Sequence, residues 1–226
     1  MLRFQPVNGD LVISIRQESV ALLPERAMLL PDRGVLLVAD LHLGKAETYR
    51  SLGVPMPEGI AEESLERLER AIVRTRPERV VVLGDLVHCE EGMEDPIIEV
   101  MDRWRHRVTL PISLIGGNHD ANVAIPRSWR IDDDGDARRL GPFILRHEPR
   151  SRTEAGNPEE PFLIAGHLHP VLSMGTGARR VLAHAFVVDV HQAILPAFTP
   201  FARGARVTPD EHRTVHAVAD GTVVTV

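Results

Sequence analysis

Residues 34–42 read GVLLVADLH, an unbroken apolar run that stops on Asp40, Leu41 and His42. A run without polar alternation fits a strand buried on both faces. The same design recurs in RVVVLGDLVH (79–88) and in PISLIGGNHD (111–120). Between the first two, Pro57 to Arg76 carries Ile60, Leu65, Leu68 and Ile72 at near-helical spacing, with Glu and Arg on the other face. Pro57 suits a first helical turn, and a second helix is expected over Asp95 to His106. The order strand, helix, strand, helix, strand implies parallel pairing through right-handed crossovers.

Outward from this centre the pattern changes. Upstream, LVISI (11–15), SVALL (19–23) and AMLL (27–30) read as short strands punctuated by Pro24 and Pro31. Downstream, FILRH (143–147), FLIAGH (162–167), AFVVDV (185–190) and AILPAF (193–198) read as strands with little helix between them. RSRTEAGNPEEP (150–161) is expected to be a polar loop, and DDDGD (132–136) a solvated acidic turn. The expected fold class is α/β: two mixed β-sheets packed face to face as a sandwich, flanked by helices. No boundary or repeat divides the chain, so residues 1–226 are expected to form one domain.

Composition narrows the function classes. With 226 residues and 43% hydrophobic content the chain can build a substantial core. A net charge of -6 argues against a globally basic nucleic-acid binder. Lys45 is the one lysine among 26 basic residues. Arginine is the better bidentate partner for phosphate, although a GC-rich coding sequence accounts for the bias. The one cysteine, Cys89, allows neither an internal disulfide nor a thiolate cluster, which points to the cytoplasm. No apolar stretch reaches the roughly 20 residues of a membrane span. MLRFQPVNGD lacks a signal-peptide core. Neither a GxSxG elbow nor a GxxxxGK[ST] loop occurs.

The strand ends carry the chemistry. They read Asp40-Leu41-His42, Gly84-Asp85-Leu86-Val87-His88, Gly117-Asn118-His119-Asp120, a lone His147, and Gly166-His167-Leu168-His169. The carboxyl ends of parallel strands open onto a shared crevice. Residues i and i+2 of an extended chain point the same way, so Asp40 with His42, and His167 with His169, can reach one site. Carboxylates and imidazoles gathered there need a cation. A mixed oxygen and nitrogen set without sulfur suits Mn, Fe or Zn. The donors are too many for one tetrahedral ion, but fit two metals about 3.5–4 Å apart that share a carboxylate.

This motif series resembles the calcineurin-like metallophosphoesterase superfamily: DxH, GDxxH, GNHD, a lone His and GHxH, in that order. DLHLGKAETYRSLGVPMPEG (40–59), GPFILRHEP (141–149) and ILPAFTPFARG (194–204) are similar to the bacterial DNA-ligase-associated branch. LPAFTPFARG departs from the glycine-richer ending of that branch. The resemblance implies that Asp40, His42 and His169 hold one divalent metal and that Asn118, His147 and His167 hold the other. It implies that Asp85 bridges them, that His119 stands above them as the general acid, and that Asp120 orients His119. It further implies a manganese-dependent DNA endonuclease or phosphodiesterase of bacterial DNA repair, with DNA, expected single-stranded, as substrate. A ligase, a helicase and an exonuclease would be functional neighbours. A water activated between the metals would be the nucleophile.

Two other functions fit the same residues: hydrolysis of small phosphoesters or nucleotides, and a catalytically inactive protein-interaction scaffold. The complete set of candidate ligands argues against the scaffold. His88, Lys45 and Arg50 are candidate substrate-binding residues. For Lys45 and Arg50 a solvated helix face competes, and for His88 a hydrogen-bonded buried ring. His184 and His191 read as structural. Trp104 and Trp129 read as packing residues, with base stacking on Trp129 as the competing reading. Arg146 should point away from His147 if its strand is regular, and Cys89 reads as an inert thiol near the site.

Overall fold

The computed structural model describes residues 5–151, 160–175 and 180–226. The apolar run at 34–42 becomes a strand that ends early, at Val38. Strands β1 (Leu11–Ile15), β2 (Glu18–Leu22), β3 (Met28–Leu30), β4 (Val35–Val38), β5 (Arg79–Leu83), β6 (Ile112–Ile115) and β7 (Ile131–Asp133) follow one another across the first sheet. The β1 to β4 pairings are antiparallel. The β4 to β7 pairings are parallel. Helix α1 (Lys45–Ser51) and helix α2 (Ile60–Thr75) lie on the crossover from β4 to β5, and α3 (Asp95–Arg107) on that from β5 to β6.

The second sheet orders its main path β14 (Arg206–Val207), β11 (Val171–Met174), β12 (Val181–Asp189), β13 (Gln192–Ile194), β10 (Phe162–Ala165), β9 (Phe143–Arg146), β8 (Ala137–Leu140). β15 (Arg213–Ala219) pairs with β12 and with β16 (Thr222–Thr225) off this path. β10 runs parallel to both β9 and β13.

Strand alternation sorts the side chains into layers. Val35, Leu37, Val81 and Leu83 meet Phe143, Leu145, Phe162, Ile164 and Phe186 between the sheets. Their neighbours Leu36, Val38, Val80 and Val82 meet Leu65, Leu68, Met101 and Trp104 under α2 and α3. The continuous apolar strands are thus covered on both faces. Each fully buried Leu contributes about 2 kcal/mol. Trp129 is fully buried in the helix-side layer and so cannot stack on a base. Both helices cover the first sheet. Among the described residues the outer face of the second carries a smaller apolar cluster, Leu172, Ala185, Val187, Val215 and Ala217.

Several boundaries differ from expectation. α2 begins at Ile60 rather than Pro57, after Gly59 in the left-handed region, and ends at Thr75, capped by the left-handed Arg76 before Pro77. AILPAF is a strand only through Ile194. Beyond it the chain crosses to the first sheet, where Phe198 N–H donates to the Ala39 carbonyl and Thr199 N–H to that of Asp40. Asp132 and Asp133, read as part of a turn, close β7. The expected polar loop at 150–161 lies mostly outside the described residues.

Candidate metal centre

Five of the expected ligands follow strands and adopt a backbone that most residues avoid. Asp40 (φ 58°), His42 (φ 48°), Asp85 (φ 52°), His167 (φ 71°) and His169 (φ 48°) are left-handed. This costs about 1–2 kcal/mol for an L-residue. Asp and His tolerate it better than most, and such strain concentrates at functional sites. The expectation that extended i, i+2 spacing aims these pairs was wrong in its reason. β4 stops at Val38 and β10 at Ala165, and left-handed turns aim the side chains.

The turns gather two donor sets that share one carboxylate. Ligand atoms of Asp40, His42, Asp85 and His169 form one cluster, and those of Asp85, His147 and His167 a second. In the first, His42 Nε2 lies 3.2 Å from His169 Nε2 and 3.7 Å from Asp85 Oδ2, and Asp40 Oδ1 lies 3.3 Å from His169 Nε2. In the second, His147 Nε2 lies 3.4 Å from Asp85 Oδ2 and 3.0 Å from Asn118 Oδ1. His167 Nδ1 stands 3.1 Å from Asn118 Oδ1 and 3.0 Å from His147 Nε2. Asp40, His42, Asp85 and His147 are buried, whereas His167, His169 and the exposed Asn118 form the rim.

Hydrogen bonds fix these groups from behind. His147 Nδ1 donates to the Leu83 carbonyl at 2.9 Å, which leaves Nε2 facing the centre. His167 N–H donates to both Asp40 oxygens, at 3.1 and 3.0 Å, and His119 N–H donates to Asp85 Oδ1 at 2.9 Å. Gly84 leaves room for this arrangement, since a Cβ there would stand 2.2 Å from His147 Nδ1.

The electrostatics call for a cation. Burial opposes the Asp85 charge, but His147 and the His119 amide hold its carboxyl well below the usual range. Burial alone would lower the His147 pKa, yet the hydrogen bond and charge of Asp85 raise it to about 9. Without metal, then, a proton on His147 serves as the missing positive charge. Burial, reinforced by Lys45, keeps His42 well below the ordinary histidine range and therefore neutral. Lone pairs of Asp85, Asn118, His147 and His167 converge where a divalent ion fits better than protons.

Outside this set the expected residues divide. His119 is half-buried, and its Nδ1 donates to the His88 carbonyl at 2.5 Å. Asp120 does not orient it, contrary to expectation. One Asp120 oxygen accepts from Val87 N–H at 3.1 Å and the other from Gly117 N–H at 3.0 Å. The carboxylate is spent joining two loops. Burial leads in raising its pKa.

Arg50 is held by protein partners in this arrangement. It donates to Glu47 at 2.5 Å and to the carbonyls of Pro57 at 2.8 Å and Met56 at 3.4 Å, pinning the loop after α1. Lys45 is half-buried, and burial lowers its pKa while the charges of Asp40 and Asp85 oppose that shift. His88 lies beside His119, its pKa pushed down to about 4 by burial, Lys45 and His119. Arg146 is exposed beside the buried His147, as its strand predicts. Cys89 Sγ sits 3.2 Å from Thr48 Oγ1. His184 is packed near Arg26 and Arg67, and burial leads in pushing its pKa down to about 3. Sequence reasoning passed over Tyr49, whose ring stacks on His88. Its signal was the helical spacing from Lys45, hidden because α1 has only 7 residues.

A family model described as calcineurin-like phosphoesterase matches residues 34–163, which include both carboxylates, Asn118, His119 and His147. Among solved structures, the chain is 32% identical to the nuclease MPE of Pseudomonas putida, with a TM-score of 0.80, covering 96% of this chain and 100% of that one. YfcE, a phosphoesterase from E. coli, is 16% identical with a TM-score of 0.42 over 85% of this chain and 97% of that one. AQ665 of Aquifex aeolicus, a protein of unknown function, is 16% identical with a TM-score of 0.41 over 60% of this chain and 78% of that one. No curated protein matches the chain. A family model spanning more than half of the sequence, and a solved relative aligned along almost all of it, agree with the paired donor sets: this chain belongs to the calcineurin-like phosphoesterase family.

Proposed function

We propose that this protein is a metal-dependent phosphodiesterase that cuts single-stranded DNA. The observation that carries the reading is Asp85, the one carboxylate common to both donor sets, with His119 held beside it. The similarity to a nuclease over 96% of the chain supports DNA as the substrate. Asp40, His42, Asp85 and His169 would hold one ion, and Asp85, Asn118, His147 and His167 the other. Manganese suits this donor set, with iron and zinc as alternatives. Two such ions supply positive charge for a phosphate diester and acidify water.

The protein groups do the rest. The buried carboxylates and imidazoles fix the geometry. His119 is the general acid. Its Nδ1 proton is occupied by the His88 carbonyl, which fixes the ring plane. Nε2 then carries the proton given to the departing oxygen. Lys45, on the carboxylate side of α1, adds positive charge for the phosphate. The similarity of 40–59, 141–149 and 194–204 to the ligase-associated branch supports a cytoplasmic role in DNA repair, alongside a ligase, a helicase and an exonuclease.

The test uses chelator-treated protein reloaded with Mn. Single-stranded DNA, bis-p-nitrophenyl phosphate and p-nitrophenyl phosphate are assayed in parallel, with Asp85→Asn as control. Cleavage of DNA and the diester that is lost in the control supports the reading. Hydrolysis of the monoester alone would move the function to small phosphoesters, and no hydrolysis at all would leave a scaffold.

A further inference from the structure

The histidines beside the donor sets continue outward as a stack of rings. The His42 and His119 rings meet edge to face, with centroids 4.9 Å apart. The His119 ring lies nearly parallel to that of His88, 4.8 Å away at 22°. The His88 ring lies nearly parallel to that of Tyr49, 6.2 Å away at 19°. Tyr49 is the only tyrosine of the chain, and it is 38% exposed. The ladder therefore begins at a buried candidate ligand and ends at an aromatic ring open to solvent.

Tyr49 also lies four residues after Lys45 on α1, so both side chains share one face of that helix. One face of a single turn thus offers a cation and, one turn on, an aromatic ring. Phosphate and base occur in that same order in a nucleotide.

We propose that Tyr49 is the stacking platform for the base next to the scissile phosphate, an inference that rests on the DNA reading above. Because a base inside a duplex is already stacked on both sides, the platform selects unpaired nucleotides. Stacking is tolerant of sequence, since every base has a π-face. The site then prefers single strands without preferring a sequence.

The experiment pairs a protein change with a substrate change. Mn-loaded wild type, Tyr49→Ala and Tyr49→Phe are assayed on single-stranded oligonucleotides that carry one abasic nucleotide, moved through each position in turn. Cleavage is followed at the neighbouring phosphodiesters. For the wild type, removing the base at one position beside the cut should lower kcat/KM by about five- to a hundredfold, the usual range for base–aromatic stacking. Tyr49→Ala should lower it by a similar factor on intact DNA and be indifferent to the abasic nucleotide at that position. Tyr49→Phe, which keeps the ring, should behave as wild type.

A merely structural tyrosine would give losses that multiply rather than overlap. Multiplying losses, or a wild type insensitive to abasic nucleotides at every position, would overturn this inference while leaving the nuclease reading intact. Failure of the wild type to cut any DNA would overturn both.

Discussion

Gly84→Ala tests the packing of the centre without replacing a candidate ligand. Gly84 has φ 78°, so an alanine there adopts a left-handed backbone at about 1–2 kcal/mol. Its Cβ would lie 2.2 Å from His147 Nδ1, 2.4 Å from Cγ and 2.8 Å from Cβ. The collision reaches the root of the side chain, and the ring, 3% exposed, has no free space to enter. His147 must therefore leave the Leu83 carbonyl, and a buried acceptor without a partner costs about 1–3 kcal/mol. Together these give roughly 2–5 kcal/mol, or about 5–20 °C in Tm for a chain of this size. The second donor set loses its aim, so bound metal should drop from two ions per chain towards one. Gly59→Ala is the control. Its φ is 77°, but its Cβ would meet nothing within 4 Å, so only the backbone term remains. Differential scanning calorimetry and metal analysis read both effects. A Gly84→Ala protein that melts within about 2 °C of wild type and binds two ions would refute the reasoning.

Three further outcomes are expected. His119→Ala should keep its metal and lose about a hundred- to ten-thousandfold in kcat, because only the His119 backbone amide touches Asp85; metal loss in step with activity would remove its role as an acid. In chelator-treated protein His147 has a pKa raised from 6.5 to about 9, so its charged pairing with Asp85 stabilises fully below pH 6.5 and is lost as pH rises through about 9. Melting of wild type against His147→Gln over that range should show the difference shrinking with pH, and a difference that grows would contradict the assignment. Arg105→Met should lower stability by about 3 kcal/mol or more, because buried Arg105 serves the carbonyls of Trp129, Val108 and Leu110. Urea titration reads this, and a change under about 1 kcal/mol would show those carbonyls paired elsewhere.

The first sheet was legible because burial on both faces leaves its central strands without polar residues. Val80 to Leu83 can be nothing but interior. The second sheet was harder. β11 and β14 are short, and their alternate residues are exposed or polar, as in Ser173 and Arg206. Such stretches read as loops until β12 stands beside them. The donor residues were legible because each closes an apolar strand, but their aim was not, since φ leaves no mark on residue type beyond the tolerance of Asp and His for the left-handed region. Asp120 shows the other limit. The family resemblance implied that it orients His119, whereas the turn sends its carboxylate to Val87 and Gly117. The partners of Arg50 were hidden too, because the carbonyls that hold it belong to a loop with no sequence signal.

The crossing segment after β13 has a consequence for biosynthesis. Phe198 and Thr199 fasten onto Ala39 and Asp40, and Ala205 N–H donates to the Leu168 carbonyl between the two rim histidines. A ribosome that has delivered the first 150 residues has released Asp40, His42, Asp85, Asn118, His119 and His147, but neither His167 nor His169, nor the strap that braces them. Such a nascent chain presents fragments of the centre with no complete cage for an ion. A complete donor set therefore waits until the residues of this strap have been made.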